Sequence, residues 1–145
     1  MSDKAIIFEA EVEWTGEKAG RLKLEGRPDL QVAPPPQFEG PEGMNSPQEM
    51  FVASAAVCIM TTFLAMGNKV RAEWESFSCS GRGHLELVKG QGLIFTRIEL
   101  FPKVTVRAEE QVPAVEKALE LAKKYCLVTN SMKSEVVMHP QVSIA

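Results

Sequence analysis

Residues 50–66 read MFVASAAVCIMTTFLAM, a run without a single charge. Ahead of it, Asn45-Ser-Pro-Gln-Glu49 carries the start signals of a helix. Ser46 suits the N-cap, Pro47 the first helical position, and Glu49 stands at the capping-box distance from Ser46. The pattern predicts a helix from there to about Asn68, roughly 30 Å long. A helix that is apolar all round belongs either in a core or in a membrane. This run is at the lower limit of a bilayer span. Ala53, Ser54, Ala55, Ala56, Thr61 and Thr62 dilute it, and no other segment could span with it. It therefore reads as a buried core helix.

On the N-terminal side, residues 5–14 (AIIFEAEVEW) alternate partly and are rich in Ile, Phe, Val and Trp, the mark of a strand. Residues 15–20 are turn material, 21–25 (RLKLE) suggest a hairpin return, 26–29 a second turn and 30–33 a third short strand. Residues 34–43 are too rich in Pro and Gly for regular structure. On the C-terminal side, residues 73–88 and 93–107 read as two long strands joined by a hairpin turn at 89–92. A second helix lies within 108–125, with Val112, Val115, Leu119 and Ala122 on one face. Residues 135–144 read as a last strand, and Pro140 implies an edge position. Three short strands, a buried helix, a long hairpin, a helix and a strand make an α+β fold in one domain, residues 1–145.

Composition narrows the function. The chain has 145 residues, 45% of them apolar and 24% charged, ordinary values for a globular protein. The net charge of −3 and the lack of a Lys/Arg run favour neither nucleic acid nor an anionic membrane as partner. Residues 1–4 carry no apolar signal region, and three cysteines without regular spacing make no disulfide framework, so a cytoplasmic location is expected. His84 and His139 are far apart and lack ligand spacing, so no metal is expected. No Gly-rich phosphate loop or serine-nucleophile motif occurs, and no cofactor is implied.

The cysteines remain. Cys58 sits in the middle of the apolar helix, Cys126 directly after the second helix and its Lys123-Lys124 pair, and Cys79 inside a strand. Free cysteine is often only a small buried hydrophobe. A pair becomes chemistry when one thiol attacks an O–O bond and the other resolves the sulfenic acid to a disulfide. The attacker must be a thiolate, which a positive neighbour favours. Arg21 and Arg27, near the turns of the N-terminal hairpin, are candidates by composition.

Residues 38–58 (FEGPEGMNSPQEMFVASAAVC) resemble the loop and helix start of OsmC/Ohr proteins, and residues 117–132 (KALELAKKYCLVTNSM) are similar to that family's helix ending in a cysteine motif. The resemblance, which runs along nearly the whole chain, implies an intertwined homodimer with two central helices beneath curved antiparallel sheets. It implies a peroxidase for organic hydroperoxides, with Cys58 as attacking thiol, Cys126 as resolving thiol, and electrons from a dithiol, dihydrolipoyl groups in the Ohr branch. In the family an arginine activates the thiolate and pairs with a glutamate ten residues before the attacking cysteine. Here the glutamate's place holds Gln48, with Glu49 adjacent, and the arginine's place in OsmC proper holds Gln37; in the Ohr branch the arginine sits in the first turn, where Lys18 or Arg21 would serve as the activating cation. Nine residues separate Glu49 from Cys58, about 13 Å along the helix axis, so Glu49 cannot touch its own Cys58. Glu49 could serve the thiol site only through an arginine or a partner helix; its other reading is a capping-box acid. An apolar cleft involving Phe51, Ile59 and Phe63 would favour alkyl or lipid hydroperoxides over hydrogen peroxide. The rival reading is a non-catalytic or redox-sensing protein of the same fold that binds a small apolar ligand. A different thiol transfer through Cys58 is a third.

Overall fold

A computed structural model describes residues 4–145. The chain forms two compact units, one ending at Phe51 and the other beginning at Val52. The first contains an antiparallel sheet of β1 (Glu11–Gly16), β2 (Ala19–Lys23) and β3 (Leu30–Val32) in that order. Glu13 faces Arg21, which faces Gln31. Val32 bridges to Asn45, and the Ala33 amide donates to the Asn45 carbonyl, which fixes the end of the proline loop. Within that loop Pro36–Phe38 form a single 3-10 turn. The expected first strand is shortened. Residues 5–10 have no ladder partner in this unit, and Ile6, Ile7 and Phe8 stand 82%, 78% and 90% exposed. Side-chain pattern alone does not make a strand; a neighbouring backbone must accept its hydrogen bonds.

The helix α1 (Pro47–Lys69) carries the chain into the second unit. Its start is as expected: the Glu49 amide donates to Ser46 Oγ at 3.1 Å, and the Ser46 hydroxyl donates to Glu49 Oε1 at 2.7 Å. Only one stripe of α1 is buried, Ala55, Ile59, Phe63 and Gly67 at every fourth residue. The expectation of burial all round is thus corrected: Val57 and Met60 are exposed on another face. Uncharged composition says that a face can be buried, not that this chain alone buries it.

The buried stripe lies in a core built from the long hairpin β4 (Ser76–Val88) and β5 (Gly92–Val106) and from α2 (Val112–Tyr125). β5 points Ile98, Leu100, Pro102, Val104 and Val106 to the interior, the period-two pattern of a strand with one buried face. α2 buries Val115, Ala118, Leu119 and Ala122, the spacing of one helix face. Phe63 stacks on Phe77 at 4.8 Å and meets Trp74 edge-on at 4.9 Å. Two glycines allow close approach. A Cβ on Gly67 would stand 2.6 Å from the Trp74 ring, and one on Gly83 would stand 2.6 Å from the Val52 side chain.

The tail departs from expectation. It forms two strands, β6 (Glu135–Met138) and β7 (Gln141–Ile144), both parallel to β5, so the four-stranded sheet is mixed. Glu135 pairs with Arg97 and Gln141 with Lys103. Continued in that register, Pro140 falls beside Pro102, and neither residue has an N–H to give the ladder. The short helix α3 (Leu127–Asn130), which follows Cys126, was not foreseen either.

Candidate active site

Cys58 is half-buried in the middle of α1, and Cys126 is fully buried at the joint between α2 and α3. The backbone of Cys126 is extended, with φ −65° and ψ 111°, so the two helices do not fuse. Asn130 Nδ2 donates to the Lys124 carbonyl at 3.0 Å, and Thr129 Oγ1 to the Cys126 carbonyl at 3.4 Å, and both bonds hold the joint. The first amides of α3 have no partner inside their own helix, as at any helix start. Those of Val128 and Leu127 turn to the Cys58 sulfur.

This geometry gives the two thiols opposite tendencies. Burial pushes the Cys58 thiol up, but the Val128 amide, the Cys126 thiol, the Thr62 hydroxyl and the Leu127 amide all donate to its sulfur. Together they outweigh burial and hold Cys58 below the ordinary thiol value. Thr62 Oγ1 stands 3.8 Å from the sulfur, one helical turn on. Cys126 is raised, first by burial and then by the charge and hydrogen bond of Cys58, against the opposing Thr129 donors. The two thiols thus share a hydrogen bond and are shifted in opposite directions. Cys79, half-buried in β4 opposite Pro102, is raised by burial.

Arg21 and Glu49 belong to the first unit. Arg21 pairs with Asp29 at 3.8 Å, and exposed Glu49 is engaged with Ser46. Gln48 keeps a buried side-chain oxygen without a hydrogen-bond partner among the described residues.

A second constellation was missed in the sequence. Glu99 on β5 is 8% exposed and accepts from His84 Nε2 at 2.7 Å, His139 Nε2 at 2.9 Å and an Arg97 guanidinium nitrogen at 3.0 Å. The His139 ring stacks on Phe101. The β4–β5 hairpin brings in His84, and the proline break between β6 and β7 brings in His139. The His84, Arg97 and His139 bonds hold the Glu99 carboxyl at about 2, against burial. No group of residues fit to hold a metal ion occurs among the described residues.

Because Glu99 lies below its ordinary value of 4.5, its contribution to stability is complete above that value and is lost as pH falls toward about 2. Glu99→Gln should lower the melting temperature at neutral pH. The gap to wild type should close as pH drops from 4.5 toward 2, which thermal melts across that range would read. A constant gap down to the lowest pH would mean that the carboxylate charge plays no part.

The family model for OsmC-like proteins matches residues 40–140. The uncharacterized protein YmaD of Bacillus subtilis (strain 168) is 23% identical over 150 residues, covering 99% of this chain and 97% of its own. An OsmC-like protein of unknown function from Vibrio cholerae superposes with a TM-score of 0.84 at 24% identity, over 94% of this chain and 99% of that one. An organic hydroperoxide resistance protein OsmC from Legionella pneumophila superposes with a TM-score of 0.74 at 20% identity, over 98% and 99%. At these identities the solved structures speak for the fold.

Proposed function

Since the chain belongs to the OsmC-like family, we propose that it is a thiol-dependent peroxidase that reduces organic hydroperoxides through Cys58 and Cys126. The observation that supports this reading is the hydrogen bond between the two thiols, with Cys58 lowered by its donors and Cys126 raised by burial and by Cys58. The α3 amides supply hydrogen-bond stabilisation to the Cys58 thiolate, in a chain that holds Gln37 and Gln48 at the places of the family's arginine and glutamate.

The chemistry runs in three steps. The Cys58 thiolate attacks one peroxide oxygen, and the O–O bond breaks. The alkoxide leaves as an alcohol after taking a proton, and Cys58 becomes a sulfenic acid. Cys126 then attacks the Cys58 sulfur; its proton leaves with the hydroxyl as water, and a disulfide forms. An external dithiol, such as a dihydrolipoyl group, reduces that disulfide by exchange and is itself oxidised. No metal or prosthetic group enters. The thiols work in this cycle in a reducing compartment, which the cytoplasm provides.

A homodimer is part of the proposal. Val57 and Met60 on α1, and Ile6, Ile7 and Phe8 near the N-terminus, are exposed apolar side chains that a second copy would cover. The test of the thiol cycle is stoichiometric. One equivalent of cumene hydroperoxide should remove two free thiols from the reduced protein and link the peptides that contain Cys58 and Cys126. Retention of all three thiols after that treatment would reject the reading.

A further inference from the structure

Among the described residues, Thr62 supplies the one side-chain hydroxyl at the Cys58 sulfur. It stands 3.8 Å away, one turn on along α1, and its proton rotates about the C–O bond. The other donors are held in place. The Val128 and Leu127 amides belong to the backbone of α3, and Cys126 is fully buried. Neighbouring hydroxyls are committed elsewhere: Thr61 Oγ1 donates to the Cys58 carbonyl at 3.2 Å, and Thr129 Oγ1 to the Cys126 carbonyl. Thr62 is only half-buried and faces an open groove, so it meets a molecule that approaches the sulfur from that side.

That position suits the second oxygen of a peroxide. Attack on a hydroperoxide is in line, so the leaving oxygen lies one atom beyond the attacked one. Negative charge grows on it as the O–O bond breaks, and a donor placed there speeds the step. A hydroxyl that stands back from the sulfur at 3.8 Å is placed for the leaving oxygen rather than the attacked one.

Resting on the peroxidase reading, we propose that Thr62 is a catalytic residue whose hydroxyl donates a hydrogen bond to the leaving oxygen of the hydroperoxide. The Cys58 thiolate takes the terminal oxygen with its hydrogen and becomes the sulfenic acid. The O–O electron pair goes to the alkoxide, which Thr62 holds until water protonates it. Thr62 keeps its own proton.

The test is single-turnover oxidation of wild type, Thr62→Val and Thr62→Ser, at a pH where the rate no longer rises. Thr62→Val keeps the shape of the side chain and loses the hydroxyl. It should slow oxidation by cumene hydroperoxide about ten-fold, the size of one hydrogen bond to a charged oxygen. Thr62→Ser should restore most of the rate. Peracetic acid has the stable acetate anion as its leaving group, so Thr62→Val should slow it less than about two-fold. Alkylation of Cys58 by iodoacetamide, which displaces no oxygen, should change as little. Equal slowing with cumene hydroperoxide, peracetic acid and iodoacetamide would overturn the proposal, because Thr62 would then act on the sulfur or on the fold. An unchanged cumene hydroperoxide rate in Thr62→Val would overturn it and leave the peroxidase reading standing. Wild type that alkylates at Cys58 but is oxidised by neither peroxide would reject the peroxidase reading and this proposal with it.

Discussion

Cys58→Ser should bring hydroperoxide turnover down to the rate of the free dithiol, a loss on the order of a thousand-fold or more. A serine hydroxyl does not ionise near neutral pH, so the α3 amides have no anion to stabilise. Cys126→Ser should act differently. It leaves Cys58 able to take up one equivalent of peroxide but removes the partner that ejects water. Turnover should stall after the first equivalent, with Cys58 resting as sulfenic acid or advancing to sulfinic acid under excess peroxide. The serine hydroxyl can still donate to the Cys58 sulfur, so the first oxidation itself should be retained. Steady-state consumption read beside the first-equivalent burst separates the two variants. Equal loss in both, with no burst in Cys126→Ser, would place Cys126 in the first step.

Phe63→Ala should destabilise the fold by about 3–5 kcal/mol, the usual cost of emptying a fully buried phenylalanine site. Phe63 is 0% exposed, and two aromatic neighbours, Trp74 and Phe77, are fitted to its ring. Neither can fill the space, because Trp74 is already held against Gly67 and Phe77 sits in the β4 ladder. A drop in melting temperature of about 10 °C is expected for a chain of this length. In urea the midpoint should fall with little change of slope. A loss below about 1 kcal/mol would mean that the core closes over the gap, contrary to the packing described.

Much of this architecture was legible from residue pattern. Ser46, Pro47 and Glu49 placed the start of α1 because capping chemistry is local. Val115, Leu119 and Ala122 marked the inner face of α2 because burial follows helical spacing. The hairpin around Gly90 was visible for the same local reason. The misses involve partners distant in sequence. Residues 5–10 alternate like a strand, yet pairing depends on a neighbour that pattern does not name. The break at Pro140 was visible, but its position beside Pro102 follows only from the register of β6. The same holds at the sites. Cys58 and Cys126 were paired by family resemblance, while the amides that lower the Cys58 thiol come from α3, a helix too short to show a period. The Glu99 cluster joins residues whose spacing in the chain carries no signal.

Everything proposed for this chain rests on turnover of organic hydroperoxides at its paired thiols. The most direct measurement is consumption of cumene hydroperoxide and of hydrogen peroxide by the wild-type protein with a dithiol reductant. Catalysed loss of both is expected, faster for the organic peroxide and far above the rate of the dithiol alone. Consumption of cumene hydroperoxide no faster than by the dithiol would contradict it.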